Sequence, residues 1–183
     1  TSRTKSIQTI ATLREDLFLD EEIKNLMFAD MLITYSNHAK EKLNSLGFLN
    51  AERVYPGIDL DYYSPALKDE NLMNKWKISR EDFVISWPGE YVRLGATDDI
   101  VNMLIENARM IRENKIKFIF ACRVKNSQDA KKKIQVTEKI RTNNISENII
   151  FSDTFSDMAM LYNLSDVVIF PVRDMKGKFD VPL

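Results

Sequence analysis

The amino-acid sequence predicts an α/β protein built on a doubly wound parallel sheet. Four short apolar segments, at 83–87, 117–121, 149–151 and 167–170, have the length of strands and are separated by helical patterns. The first two strand-to-strand intervals are each roughly 33 residues, the size of a βαβ unit. The segments have apolar residues on both faces instead of alternating with polar residues, which is typical of strands covered by helices on both sides.

The first part of the chain has a different pattern. Residues 6–28 are predicted to be helical, because Ile7, Ile10, Ala11 and Leu13 would lie on one face of a helix. This stretch therefore stands apart from the regular strand–helix alternation of the second part.

A strand and a capped helix are predicted next. Residues 30–35 form a short apolar run, Ser36 is expected to cap the following helix, and Gly47 is expected to end it. Residues 53–55 are predicted as a further strand, which leads into a Pro-Gly turn at 56–57.

Three helices are predicted to connect the four strands of the second part. The first carries apolar residues from Ile100 to Ile111 along one side, the second covers about 127–141, and the third covers about 156–163. In a parallel sheet connected in this way, the carboxyl ends of the strands share one edge, and ligands bind outside that edge.

Composition excludes several classes of function. The formal net charge of −1 argues against broad nucleic-acid binding, and the single histidine, His38, excludes multi-histidine metal sites. The single cysteine, Cys122, excludes an internal disulfide and fits a reducing compartment, so a cytoplasmic location is expected. No apolar run approaches the ~20 residues of a membrane span. There is no G-x-x-x-x-G-K-[ST] motif of a P-loop enzyme.

Positively charged residues follow three of the four predicted strands. Arg93 follows the first strand, and Arg123 and Lys125 follow the second. Those that follow the fourth strand are Arg173, Lys176 and Lys178. Because the loops share one edge of the sheet, this arrangement predicts a site for an anionic ligand such as a diphosphate.

Four segments of the sequence, taken in their order along the chain, carry a resemblance to a known family. They are ADMLITYSNHAKEKLNSLGF, VYPGIDLDYYSP, WPGEYVRLGATDDIVNML and FSDTFSDMAMLYNLSDVVIFPVRDMKGKFDVPL. In this order they resemble four parts of the family 4 glycosyltransferases (glycosyl transferases group 1), which have the two-domain GT-B architecture. The parts are the end of the N-terminal domain, the interdomain linker, the first strand–loop–helix of the C-terminal domain, and its run to the phosphate-binding loop.

The resemblance implies a division into two domains. Residues 1–64 would hold the end of the N-terminal, acceptor-binding domain and the linker, and residues 65–183 would hold the C-terminal, Rossmann-like nucleotide-sugar-binding domain. The implied activity is transfer of a sugar from a nucleotide-sugar donor to a glycan or lipid-linked acceptor, without a cofactor or a metal ion. A family Glu that binds the donor ribose would come shortly after Leu183, so the chain is expected to be a middle fragment of a longer enzyme.

The resemblance also assigns a donor phosphate site to the cationic edge. The residues of this predicted site are Gly89, Arg93, Arg123, Lys125, Lys176, Gly177 and Lys178. Two positions depart from the family pattern: Glu90 stands where the family has an Arg, and Gly177 stands where it often has a Glu facing the transferred sugar. No residue is assigned to catalysis.

Other hypotheses stay open at this point. Glu90 and Gly177 would also suit a non-catalytic nucleotide-sugar-binding or scaffold relative, and a sugar-nucleotide epimerase has a similar fold. The D-x-D triplet at 59–61 has a metal-binding pattern, but such a triplet is frequent by chance and this one follows a turn, so a metal role is disfavoured. The lysine run at 131–133 is predicted to face solvent, with contact to anionic lipid at a membrane surface as the alternative. Cys122 is predicted to be a small buried hydrophobic residue.

Overall fold

The chain forms two compact units. The computed structural model describes residues 5–10, 25–92, 95–152 and 157–171, and among these the first unit ends at Ile58 and the second begins at Asp59. The resemblance described above implies a domain boundary at 64/65. The assignment of the two units to an acceptor domain and a donor domain stays a prediction.

The first unit contains a three-stranded parallel sheet with a helix beside it. Its strands follow one another in the order β1-β2-β3, with β2 in the centre. The elements are β1 (Ile7–Ile10), β2 (Met31–Thr34), α1 (Asn37–Ser45) and β3 (Ala51–Arg53).

The helix predicted for residues 6–28 is wrong at its beginning, where Ile7–Ile10 form strand β1. Ile7 pairs with Met31 of β2 in parallel register, and Ser6 adds a backbone bond, in which its carbonyl accepts the Asp30 N–H at 2.8 Å. The periodicity of a short apolar run is compatible with a helix or with a strand. Here the hydrogen bonds to the neighbouring strand β2 favour the extended conformation. The rest of the predicted helix, up to residue 24, lies outside the described residues.

Helix α1 begins and ends at the predicted residues. The Ser36 hydroxyl accepts the backbone N–H of Ala39 at 3.1 Å, which satisfies one of the free donors of the first turn. Gly47 has φ of 95°, a left-handed conformation that glycine adopts without strain, just after the last turn. Leu43 of the helix and Leu32 of β2 are fully buried in the same hydrophobic cluster, which fixes the helix on the sheet.

The second unit is a four-stranded parallel sheet with the order β6-β5-β4-β7. Its strands are β4 (Phe83–Trp87), β5 (Ile116–Ala121), β6 (Ile149–Ser152) and β7 (Val167–Val168). Its helices are α2 (Glu70–Trp76), α3 (Thr97–Glu106), α4 (Ala108–Glu113), α5 (Ser127–Thr142) and α6 (Met158–Leu164). The chain moves outward from β4 to β6 and then returns to place β7 on the other side of β4. The sheet therefore reverses its winding direction between β4 and β7.

Helices cover both faces of this sheet, as predicted. On one face Phe118 and Phe120 pack with residues of α3, α4 and α5, while Ile119 between them packs on the opposite face with α2 and α6. All three side chains are fully buried. The doubly wound α/β fold class is confirmed, and its two cores explain why the strands have apolar residues on both faces.

The helix predicted through Ile111 is interrupted in the structure. Asn107 separates α3 from α4, and its side-chain amide donates to the Met103 carbonyl at 2.8 Å. A short polar side chain that bonds a backbone carbonyl competes with the regular helix, and such residues favour helix ends. The periodicity of the apolar residues gave no sign of this break.

Candidate functional site

The carboxyl ends of β4 and β5 are followed by two loops that lie side by side. A backbone bridge between Glu90 and Arg123 continues the parallel pairing beyond the last strand residues, Trp87 and Ala121. Because β4 also borders the point where the sheet reverses its winding, this edge is where a parallel sheet of this kind binds its ligands.

Glu90 pairs with both cationic residues of the β5 loop. Its Oε1 atom accepts a hydrogen bond from Lys125 Nζ and lies 3.7 Å from a terminal guanidinium nitrogen of Arg123. The Glu90 side chain is 13% exposed, whereas those of Lys125 and Arg123 are 43% and 63% exposed. The predicted cationic edge therefore contains a carboxylate between its two described cations.

The backbone of Lys125 is held by the start of α5. The Asn126 side chain accepts the backbone N–H groups of Gln128 and Asp129, each at 2.9 Å, and so caps the helix. The Asp129 carboxylate reaches back and accepts the Lys125 N–H at 3.1 Å. Asp129 is 4% exposed, so this bond lies at a buried position and fixes the loop from which Lys125 extends.

Gly89 is required by the packing of Trp87. A Cβ atom at residue 89 would collide with the indole ring of Trp87, which is fully buried in the core. The ring contacts Phe120 edge-on, with centroids 5.7 Å apart. The packing of Trp87 therefore explains why residue 89 is a glycine, without any contact to a ligand.

Cys122 is a buried thiol. It is fully buried, its Sγ–H faces the Trp87 carbonyl at 3.7 Å, and burial raises the pKa of the thiol to about 12. A hydrogen bond with the Gly89 backbone lowers this pKa in part, and the negative charges of Asp129 and Glu90 raise it. The prediction of a small buried hydrophobic residue is confirmed.

The structure describes part of the predicted phosphate site. It brings Arg123 and Lys125 together at the edge, with Gly89 in the adjoining loop. The other predicted members lie outside the described residues: Arg93, Lys176, Gly177 and Lys178. Their role stays a prediction.

Two residues that shape this edge are not among the residues predicted from the sequence. Glu90 was recognised only as a departure from a family pattern, and its pairing with Lys125 crosses between two strands, which no local pattern reveals. Asp129 had a local signal, because an Asn followed three residues later by an acidic residue indicates a capped helix start.

The D-x-D triplet has a structural role in its turn. One Asp59 carboxylate oxygen accepts the backbone N–H groups of Asp61 and Tyr62, both at 3.1 Å. In the part of the chain that the structure describes, no group of three or more His, Cys, Asp or Glu side chains is arranged to hold a metal ion. No helix within the described ranges is long and apolar enough to cross a membrane.

Solved structures of glycosyltransferases share this fold. A glycosyltransferase from Rickettsia africae ESF-5 matches with a TM-score of 0.68 at 16% identity, over 88% of this chain and 44% of its own. HepE of Anabaena, in complex with UDP and glucose, matches with a TM-score of 0.63 at 14% identity, over 90% of this chain and 45% of its own. The chain therefore spans less than half the length of these two proteins.

An isolated domain gives a third match. The C-terminal domain of a glycosyl transferase group 1 family protein, LpcC from Francisella tularensis, has a TM-score of 0.51 at 17% identity, over 61% of this chain and 57% of its own. No protein-family model matches the sequence, and no curated protein is significantly similar to it. The structural matches show that the chain has the parallel, Rossmann-like α/β fold of GT-B glycosyltransferases.

Proposed function

We propose that the chain belongs to a glycosyltransferase that moves a sugar from a nucleotide-sugar donor to a glycan or lipid-linked acceptor. The observation that carries this proposal is the pair of cations, Arg123 and Lys125, at the ligand-binding edge of the sheet. The likeness to HepE, whose structure contains UDP and glucose, supports a nucleotide-sugar as the donor.

The proposed mechanism is electrostatic. The bond between the anomeric carbon of the sugar and a diphosphate oxygen breaks, and the acceptor oxygen forms the new bond to that carbon and loses its proton to the departing diphosphate or to water. Lys125 and Arg123, together with Arg93, Lys176 and Lys178, stabilise the negative charge that develops on the leaving diphosphate. Because cationic side chains supply this stabilisation, the proposed reaction needs no divalent metal.

We further propose that the two units have separate tasks. Residues 65–183 bind the nucleotide-sugar, and residues 1–64 belong to the end of the acceptor domain and the linker. The likeness to the isolated C-terminal domain of LpcC supports the first assignment. A cytoplasmic location, with the acceptor reached at a membrane surface when it is lipid-linked, is part of the same proposal.

A kinetic experiment on the full-length enzyme tests the proposed mechanism. Arg93→Ala should lower kcat more than it raises the apparent donor constant, because a contact to the leaving group strengthens in the transition state. Arg80→Ala is the matched control, since Arg80 precedes β4 and pairs with Glu70 at the opposite end of the strand. Unchanged kcat and kcat/KM in Arg93→Ala would remove Arg93 from the site.

A binding protein without transferase activity is the second candidate. The observation that favours it is the pairing of Glu90 with both described cations, which lowers the positive charge available to a leaving group. Turnover of a radiolabelled nucleotide-sugar separates the two candidates, because only a transferase transfers label to an acceptor. Release of a free sugar epimer without an acceptor would instead identify an epimerase.

A further inference from the structure

Three charged side chains form one ion-pair group at the ligand-binding edge. Glu90, Arg123 and Lys125, here called the edge triad, meet at the Oε1 atom of Glu90. Glu90 is the least exposed of the three, so its carboxylate lies behind the two more exposed cations. The backbone bridge between Glu90 and Arg123 holds the two loops in register.

The Glu90 carboxylate lowers the positive charge that an anionic ligand would encounter at this edge. Without Glu90, the two cations would present a charge of +2, and with it the edge triad has a net charge of +1. A diphosphate that bonds Lys125 must compete with a carboxylate that already accepts a charge-assisted hydrogen bond from the same ammonium group.

We propose that Glu90 weakens the binding of the nucleoside diphosphate by competing for Lys125 and Arg123. This inference rests on the proposed function, because it assigns a regulator to the same phosphate site. The diphosphate is the product of the transfer reaction, and release of product limits the turnover of many enzymes. Glu90 is therefore a positioning residue that favours product release, and it does not take part in the chemistry.

The expected size of the effect follows from the location of the group. A charge interaction at a partly exposed site is weaker than one in the interior and is screened by salt. Replacing the carboxylate by the uncharged amide of similar shape, Glu90→Gln, should lower the Kd for UDP about two- to fivefold at low ionic strength. The gain should shrink as salt is added.

The chain offers a matched control at the other end of the same two strands. Glu81 precedes β4 and pairs with Lys115, which precedes β5, so Glu81→Gln also removes one carboxylate from a cross-strand ion pair. This pair lies at the amino ends of the strands, away from the ligand-binding edge. Glu81→Gln should leave the Kd for UDP unchanged.

Isothermal titration of the full-length protein with UDP and with inorganic pyrophosphate measures both variants. Pyrophosphate has no base or sugar, so a gain seen with both ligands shows that the effect acts on the phosphate groups. In a Lys125→Gln background, Glu90→Gln should tighten binding less than in the wild type, because one of the competed cations is gone. A residue with a purely structural role would not show this coupling.

A measurement without mutation provides an independent test. In NMR spectra of the wild-type protein, addition of pyrophosphate should shift the side-chain carboxyl carbon resonance of Glu90, because Lys125 exchanges its bond to Glu90 for one to the pyrophosphate. The corresponding resonance of Glu81 should not shift. If the wild type binds UDP and Glu90→Gln binds it equally or more weakly, the inference is wrong while the proposed function stands. If the wild type binds neither UDP nor pyrophosphate, the proposed function and the inference fail together.

Discussion

Asp166 and Val84 exchange two hydrogen bonds at the start of the central strand β4. The Asp166 backbone N–H donates to the Val84 carbonyl at 2.8 Å, and the Asp166 carboxylate accepts the Val84 N–H at 2.7 Å. Lys68 also donates to this carboxylate, at 2.9 and 3.0 Å. The side chain of one residue thereby fixes β7 beside β4, and this pairing creates the reversal in the sheet at which the proposed ligand site lies.

Asp166→Ala should destabilise the fold by about 1–3 kcal/mol, because it leaves the N–H of the fully buried Val84 without its acceptor. Lys68→Met is the matched control, since it removes the ion pair and leaves the Val84 bond intact. A partly exposed ion pair of this kind contributes about 0–1 kcal/mol. Urea unfolding of both variants gives the comparison, and equal losses would contradict the role given to the Val84 bond.

The contribution of Asp166 should depend on pH. Partial burial would raise the pKa of Asp166, but the bonds from Lys68 and from the Val84 N–H outweigh it and hold the pKa below its ordinary value of 3.8. A carboxylate with a lowered folded-state pKa stabilises the fold above the unfolded-state pKa, and this contribution is lost as pH falls through the folded-state pKa. The stability difference between wild type and Asp166→Asn should therefore be constant near neutral pH and shrink below pH 3.8. A difference that stays the same at lower pH would refute this account.

Gly89→Ala should destabilise the second unit by about 1–3 kcal/mol, because the new Cβ atom would collide with the Trp87 indole in a packed core. Gly57→Ala is the control, since a Cβ atom at residue 57 would have no neighbour within 4 Å. The loss from Gly89→Ala should be smaller in a Trp87→Phe background, because the shorter ring leaves space for the methyl group. Denaturant unfolding of the single and double variants measures this coupling, and additive losses would argue against the collision.

Cys122 should resist modification by thiol reagents until the chain unfolds. With a pKa of about 12, the thiolate is a very small fraction at neutral pH, and the side chain is also fully buried. The reaction with a disulfide reagent at mild alkaline pH should therefore be slow in the folded protein and fast in urea. Because the chain has a single cysteine, the reaction reports on this thiol alone, and rapid modification without denaturant would contradict its burial.

Lys132 and Lys131 should differ in their effect on stability, although they are neighbours in one basic run. Lys132 forms an ion pair with Asp98 at the start of α3, and its side chain is 22% exposed, so this member of the run does not simply face solvent as predicted. Lys132→Met should cost about 0.5–1 kcal/mol at low salt and less at high salt, while Lys131→Met should have little effect. Thermal unfolding at two ionic strengths decides this, and equal behaviour of the two variants would exclude a role for the pair.

Local patterns predicted the elements whose signal lies within the element itself. Strand β4 was predicted with its observed bounds, and α5 was predicted to within one residue at its end, because an apolar run and a long amphipathic repeat are visible in the sequence. The Ser36 cap was predicted for the same reason, since its hydroxyl acts on the helix that directly follows it. The break at Asn107 was missed, because the apolar stripe continues across it.

For the candidate site, the sequence predicts which cationic residues lie at the edge of the sheet but not which residues they pair with. Arg123 and Lys125 were placed at the correct edge, since the carboxyl end of a strand is fixed once the strand is known. Their pairing with Glu90 could not be predicted, because Glu90 follows a different strand and meets them only when β4 and β5 are adjacent.

The sequence by itself determined the fold class, the positions of the central strands and the collection of cations after them. These properties depend on the spacing of apolar residues and on the chemistry of neighbouring residues along the chain. The tertiary structure decided the strand order β6-β5-β4-β7, the extended form of residues Ile7–Ile10 and the charge that remains at the edge triad. The physical reason is that hydrogen bonds between strands and ion pairs between loops join residues distant in sequence, and their partners are set by the packing of the whole unit.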